Sequence, residues 1–264
     1  MIESPTELLT LGFDPDSHCL EITINNPPAN TWNAESLTGL VQIVSAAAAE
    51  REVWSILITG QGERFFSAGA DLKLFADGDK AVAADMSGYF GAAFEALANF
   101  RGVTIAAING YAMGGGLECV LACDIAVAEQ HAQLAMPEAT VGLLPCGGGT
   151  QNLAWAVGEG WAKRMILCGE RVDAETALRI GLVHEVVDTG AAIERARALA
   201  QSVGKQSPPA VASCKDLIQR ARHGDIGSAY TAEREAFVRL FDTRDQQEGV
   251  NAFLEKRKAA WVNG

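Results

Sequence analysis

Several familiar sources of chemistry are missing from this 264-residue chain. It has no GxSxG turn for a nucleophilic serine, no GxxxxGK[ST] loop for a nucleoside triphosphate, and no GxGxxG after a strand for a dinucleotide. The four histidines, His18, His131, His184 and His223, are scattered without ligand spacing, so no metal site is expected. The six cysteines, Cys19, Cys119, Cys123, Cys146, Cys168 and Cys214, include no CxxC pair and read as reduced structural thiols of a cytoplasmic protein. No charged-then-apolar leader opens the chain. The longest apolar stretch, residues 102–117, contains Asn109 and several glycines and ends beside a glutamate, so no membrane span is expected. Positive charge is scarce too: 21 Lys and Arg stand against 33 Asp and Glu, for a net charge of −12. Nucleic-acid binders draw affinity from cations on phosphates, so nucleic acid is excluded as the expected partner. An anionic small ligand stays open, because a few local cations suffice to hold one.

A hydrophobic content of 48% and a charged content of 20% suit a single α/β unit with a sizeable core. Alternation predicts strands over 7–13 and 18–25, joined by the turn Asp14-Pro15-Asp16-Ser17. Asn33 or Ser36 caps a helix running to about Glu50, and 53–59 reads as a buried strand closed by Gly60. A glycine turn and an amphipathic helix over 80–99 follow. The order then recurs: strand 103–108, turn 114–116 and helix 117–122, then strands 124–128 and 132–136, the bend 145–149 and another helix. Asp173 caps a helix over 174–180, and 182–187 is the last predicted strand. From Ala191 the pattern is helical, broken once by Pro208-Pro209, with helices over 210–223, 226–241 and 244–260. The chain therefore divides into a mixed α/β core, 1–204, and a helical region, 205–264.

Two glycine-rich turns, the second of them followed by two glutamates, carry the chemistry. One is Ser67-Ala68-Gly69-Ala70-Asp71-Leu72-Lys73; the other is Asn109-Gly110-Tyr111-Ala112-Met113-Gly114-Gly115-Gly116-Leu117-Glu118, with Pro137-Glu138 further on. Small residues at Ala70 and Gly115 let backbone N–H groups approach a ligand oxygen. Two such donors facing one point form a site for a developing oxyanion, and a carboxylate beside it can move protons next to a thioester carbonyl. Taken singly, Glu118 is an ordinary helix-start carboxylate and Glu138 an ordinary first-turn residue after Pro137.

Together with Cys123-Asp124-Ile125, Gly147-Gly148-Gly149-Thr150-Gln151, Gly181-Leu182-Val183 and the ending Glu248-Gly249 … Phe253-Leu254-Glu255-Lys256-Arg257-Lys258, these turns resemble the crotonase superfamily over essentially the whole chain. The resemblance implies an α/β spiral of strand–strand–helix repeats, a helical C-terminal region (205–264) for oligomerisation, and a homotrimer or homohexamer. It implies acyl-CoA as ligand, with coenzyme A part of the substrate and no separate cofactor. The oxyanion hole would fall on the amides of Ala70 and Gly115, and the substrate-contacting loop on Ala70, Asp71, Leu72 and Lys73. Hydratases of the family carry two glutamates, which here are Glu118 and Glu138; isomerases usually keep the later one.

The expected activity is therefore reversible hydration of a 2-enoyl-CoA to a 3-hydroxyacyl-CoA. Glu118 orients and deprotonates water, kept ionised by the helix start; Glu138, in a more apolar setting, delivers the proton to C2. The alternatives are an enoyl-CoA isomerase or a lyase for an unusual acyl group, and, more distantly, a non-catalytic or RNA-binding relative. Lys73 reads either as a solvated lysine or as a contact for the nucleotide end of CoA. Lys256, Arg257 and Lys258 read as charges at a helix end. Three positions depart from the family pattern: Cys146 follows Pro145 where glycine is usual, Asn152 stands where arginine is frequent, and Trp32 replaces a smaller residue. Cys146 adds a Cβ where a positive φ would forbid one, and Trp32 either fills the core or narrows the acyl channel.

Overall fold

The computed structural model describes residues 2–222 and 224–264. The end of the predicted helix over 210–223, and with it His223, lies outside the described residues. The chain opens with an antiparallel hairpin, β1 (Leu9–Asp14) and β2 (Cys19–Ile24), followed by α1 (Ala34–Ala49). Asn33 caps α1 by accepting from the Ser36 amide, while the Ser36 hydroxyl accepts from the Asn33 amide, so two orphan donors are satisfied at once.

Three strand–strand–helix turns follow. The first is β3 (Ser55–Gly60), β4 (Phe65–Ser67) and α2 (Lys80–Ala98). The second is β5 (Val103–Ile108), β6 (Tyr111–Met113) and α3 (Gly115–Leu121). The third is β7 (Ile125–Glu129), β8 (Gln133–Ala135) and α4 (Gly149–Leu167), whose helical course is interrupted at Gly158. Then come β9 (Val172–Asp173), α5 (Ala174–Arg179) capped by Asp173, β10 (Glu185–Val187), α6 (Ala192–Val203), α7 (Pro208–Arg220), α8 (Ile226–Leu240) and α9 (Arg244–Leu254).

Each turn of the spiral gives one strand to each of two sheets. The larger sheet runs β1-β2-β3-β5-β7-β10 and is parallel from β2 onward; the smaller runs β4-β6-β8-β9 with β4, β6 and β8 parallel. This is the predicted spiral of strand–strand–helix repeats. Buried residues on one face of the larger sheet, among them Ile22, Ile56 and Ile58, join α1 and α2 in the main core. On the other face Leu57, Ile105, Ala107 and Val127 pack against Ala192, Ala196 and Ala200 of α6. Sheets covered on both faces account for strands that read as continuous apolar runs.

Two expectations change. The strands of the smaller sheet were mostly unmarked in the sequence, because segments of two or three residues are too short for a period to register. The last helix stops at Leu254, not at 260. Arg257 pairs with Glu248 at 2.6 Å, and Asp245, fully buried, accepts from the amides of Val262 (2.8 Å) and Asn263 (3.0 Å). These bonds fold the tail back along α9.

Candidate active site

The smaller sheet gathers the site. Because β4, β6 and β8 are adjacent and parallel, the segments that leave their C-terminal ends lie together. Those segments carry Ala70, Gly115 with Glu118, and Glu138, respectively. The first two turns touch. A Cβ at Gly69 would stand 2.7 Å from the Met113 carbonyl oxygen and 3.1 Å from the Gly115 nitrogen, and Gly69 itself has φ +87°. Only glycine allows both that conformation and that approach.

Trp32 donates its amide to the Gly69 carbonyl (2.8 Å) and accepts from the Asp71 amide (3.1 Å), a pattern that leaves the Ala70 N–H turned away. Gly115 begins α3, where an N–H has no acceptor within the helix. Among the described residues neither amide donates to another protein atom. Both residues line a cleft of about 660 Å³, together with Leu72, Phe75, Phe90, Leu143 and Leu144.

Glu118 and Glu138 line the same cleft. Glu118, 2% exposed, directs Oε1 at the amides of Gly147 (2.7 Å) and Gly149 (2.9 Å) in the bend before α4. Burial pushes its carboxyl above the ordinary range, while the amides of that bend pull it down. The expectation was that the helix start favours its charge; two further influences act on it here. Burial opposes ionisation, and the support for the charged form comes from a different loop.

Glu138 sits in a short 3-10 turn, Glu138–Val141, directly after Pro137. Its Oε2 is buried with no hydrogen-bond partner, and Oε1 lies 3.0 Å from where a Cβ on Gly114 would be. Burial, with a further push from the Glu118 charge, raises this carboxyl to about 7. Glu118 is the more deeply buried of the two, yet Glu138 is the one left without donors on its buried oxygen, which is the sense in which its setting is apolar.

The predicted substrate loop divides. Ala70 and Leu72 line the cleft. Asp71 turns its carboxylate back to cap the 3-10 turn Leu72–Phe75, accepting from the Lys73 amide at 3.1 Å, and Lys73 is exposed on that turn. Cys146 has no positive φ, so its Cβ brings no backbone strain. Its thiol borders the cleft and is pushed up to about 11, by partial burial first and then by the two glutamates. Trp32 is fully buried, 5.8 Å edge-on from Phe94, and lies outside the cleft lining; it is core. What sequence reasoning missed is the pair of amides at Gly147 and Gly149 that hold Glu118. The triple glycine was the available signal, and nothing in it said which side chain it serves.

Among the described residues no group of three or more His, Cys, Asp or Glu could hold a metal ion, and no helix is long and apolar enough to cross a membrane. The profile of the enoyl-CoA hydratase/isomerase family matches residues 15–264. This chain belongs to that family. It is 35% identical to a short-chain-enoyl-CoA hydratase of Clostridium acetobutylicum, over 96% of this chain and 97% of that protein. It is 38% identical to a 2,3-dehydroadipyl-CoA hydratase of Escherichia coli, over 90% and 92%. Among solved structures, Pseudomonas aeruginosa DspI superposes with a TM-score of 0.95 at 61% identity, covering 97% of each chain. An enoyl-CoA hydratase of Bacillus anthracis superposes with a TM-score of 0.93 at 32% identity, over 98% of this chain and 100% of that one.

Proposed function

We propose that this protein is an enoyl-CoA hydratase, adding water reversibly across the 2,3 double bond of an enoyl-CoA. One observation carries the reading: Glu118 and Glu138 border the same cleft as the unengaged amides of Ala70 and Gly115. In this reading the thioester oxygen accepts from those two amides, which draws electron density from the alkene; each such donor lowers the barrier by about 3 kcal/mol. Oε1 of Glu118 is held by Gly147 and Gly149, so Oε2 is left to take a proton from water as its oxygen bonds to C3. Glu138, with its carboxyl near 7, holds the proton that passes to C2. The pair carries one proton before the reaction and one after it, so the same form of the enzyme serves both directions.

The remaining expectations are proposals of the same kind. Coenzyme A enters as part of the substrate, with no other cofactor. Phe237, Val238 and Phe241 on α8 and Phe253 and Leu254 on α9 are exposed and apolar, which supports burial of that region between subunits of a homotrimer or homohexamer. Six free cysteines support a reducing compartment such as the cytoplasm.

The test is incubation with crotonyl-CoA, following loss of the conjugated thioester absorbance, beside Glu118→Gln and Glu138→Gln. Hydration by the wild type, slowed roughly 10²–10⁴-fold in each variant, is expected. Double-bond migration without hydration would favour the isomerase reading. Turnover of no acyl-CoA, with retention of RNA at moderate salt, would favour the non-catalytic one.

A further inference from the structure

Strand β4 is an edge of the smaller sheet, paired with β6 on one side only. Its other side is covered by residues 29–32. Ala68 donates its amide to the Ala29 carbonyl (2.9 Å), Trp32 donates to the Gly69 carbonyl (2.8 Å), and Asp71 donates to the Trp32 carbonyl (3.1 Å). These bonds bracket Ala70, whose unengaged N–H belongs to the candidate oxyanion hole. Between Ala29 and Trp32 the backbone leaves its extended course, because Asn30 has φ +52°. There the side chain replaces the missing backbone bond. Asn30 Nδ2 donates to the carbonyls of Phe65 (2.8 Å), the first residue of β4, and Gln61 (3.0 Å) in the loop before it. Asn30 is 3% exposed, and both hydrogens of its amide are thereby used.

The loop that Asn30 grips is itself fixed from several directions. Gly60 and Gly62 accept from Asn109 Nδ2 (2.8 and 2.6 Å), Glu63 accepts from His131 Nε2 (3.1 Å), and Arg64 accepts from the Tyr111 amide (2.9 Å). With Gln61 and Phe65 bound to Asn30, every carbonyl from Gly60 to Phe65 has a donor from another segment. Asn109 also accepts from the Gly60 amide (3.2 Å), and it stands just before β6, the strand that leads to Gly115. One loop therefore ties the segment beside Ala70 to the strand that delivers the other donor.

Resting on the hydratase reading, we propose that Asn30 is a positioning residue for the reaction: its side-chain amide holds residues 29–32 at a fixed offset from the loop 60–65, and so aims the Ala70 N–H at the thioester oxygen. Asn30 does not line the cleft, whereas its neighbour Thr31 does. Loss of Nδ2 would leave the backbone bonds at Ala29 and Trp32 in place and cut only the link to the loop. Ala70 could then shift while the sheet stays paired. A donor displaced by about 1 Å loses much of its hold on developing charge, while the remaining contacts bind substrate as before.

Two measurements on the wild type, Asn30→Gly and Asn30→Asp test this. Glycine keeps the positive φ and removes the amide; aspartate keeps the size and the turn preference but has no N–H. Lys215→Ala is the control, since it weakens the fold at a residue outside the cleft. For crotonyl-CoA, kcat should fall about 10- to 100-fold in both Asn30 variants, with KM within about threefold of wild type. The second measurement is the absorption maximum of bound 4-dimethylaminocinnamoyl-CoA, whose conjugated thioester absorbs at longer wavelength as its carbonyl is polarised. The shift on binding should shrink by about half or more in both Asn30 variants and keep its wild-type value in Lys215→Ala. A wavelength does not depend on how much of a preparation is folded.

An absorption maximum unmoved in Asn30→Gly, or a kcat within about twofold of wild type, overturns the positioning role. So does an equal loss of the shift in Lys215→Ala, or a wild type that hydrates crotonyl-CoA without shifting the bound probe. Failure of both Asn30 variants to fold, where Lys215→Ala folds, would make the residue part of the scaffold and overturn the role as well. A shift lost in the variants, with no turnover of any enoyl-CoA by the wild type, would keep the positioning role and overturn the hydratase reading instead.

Discussion

Replacing Glu138 with glutamine should make this protein more stable at alkaline pH while removing its activity. The carboxyl rises from an ordinary 4.5 to about 7 in the folded protein because burial disfavours its charge. Over the interval from about 4.5 to about 7 the folded state keeps a proton that the unfolded chain has lost. Unfolding free energy therefore falls as pH rises through that window and is level beyond it. At about 1.36 kcal/mol per pH unit the full cost is about 3 kcal/mol. Glu138 is half-buried, so solvent screening reduces the expected net to roughly 1–2 kcal/mol.

Glutamine has no such charge to desolvate. Any fixed packing penalty it brings is the same at every pH, so the measurement is a difference of differences. The gap in melting temperature between Glu138→Gln and wild type is read by scanning calorimetry at pH 4 and again at pH 8. The gap should move in favour of the variant by roughly 3–6 °C at the higher pH. An equal gap at both pH values, or one that moves in favour of wild type, would refute the argument that Glu138 is held protonated by its surroundings.

Other outcomes follow from the same geometry. Hydration kcat/KM should fall above pH 7 in both directions of the reaction, because the pair must hold one proton and Glu138 loses it there; a flat rate to pH 9 would contradict this. Gly69→Ala should cost at least about 2 kcal/mol in urea unfolding and abolish turnover, since its Cβ would collide with the Met113 carbonyl and force φ +87° on alanine. Cys146→Ala should keep hydration of crotonyl-CoA within a few-fold, and the wild-type thiol should react slowly with iodoacetamide at pH 7.5, because partial burial first, and then the two carboxylate neighbours, push it up to about 11. Lys215→Ala should destabilise the fold by about 3 kcal/mol, since it strips a nearly buried cation from Asp124 (2.7 Å) and the Gly102 carbonyl (3.0 Å).

The larger sheet was legible because its strands are long and apolar: Ser55–Gly60 and Val103–Ile108 announce themselves by composition. The residues of the candidate site were legible through glycine turns, whose steric need is local. Three things were not. The strands Phe65–Ser67 and Tyr111–Met113 are too short to carry a period, although they are what aligns Ala70 with Gly115. The setting of Glu118 depends on amides 29 and 31 residues away, and local propensity says nothing about contacts at that range. The packing of Trp32 was open between core and channel because its neighbour Phe94 comes from a helix remote in sequence.

The position of the thioester oxygen decides between these outcomes. A crystal structure with decanoyl-CoA bound should place that oxygen within about 3.1 Å of the amide nitrogens of both Ala70 and Gly115. The carboxyl groups of Glu118 and Glu138 should then flank carbons 2 and 3. A ligand whose carbonyl points elsewhere, or whose reacting carbons lie out of reach of either glutamate, would contradict it.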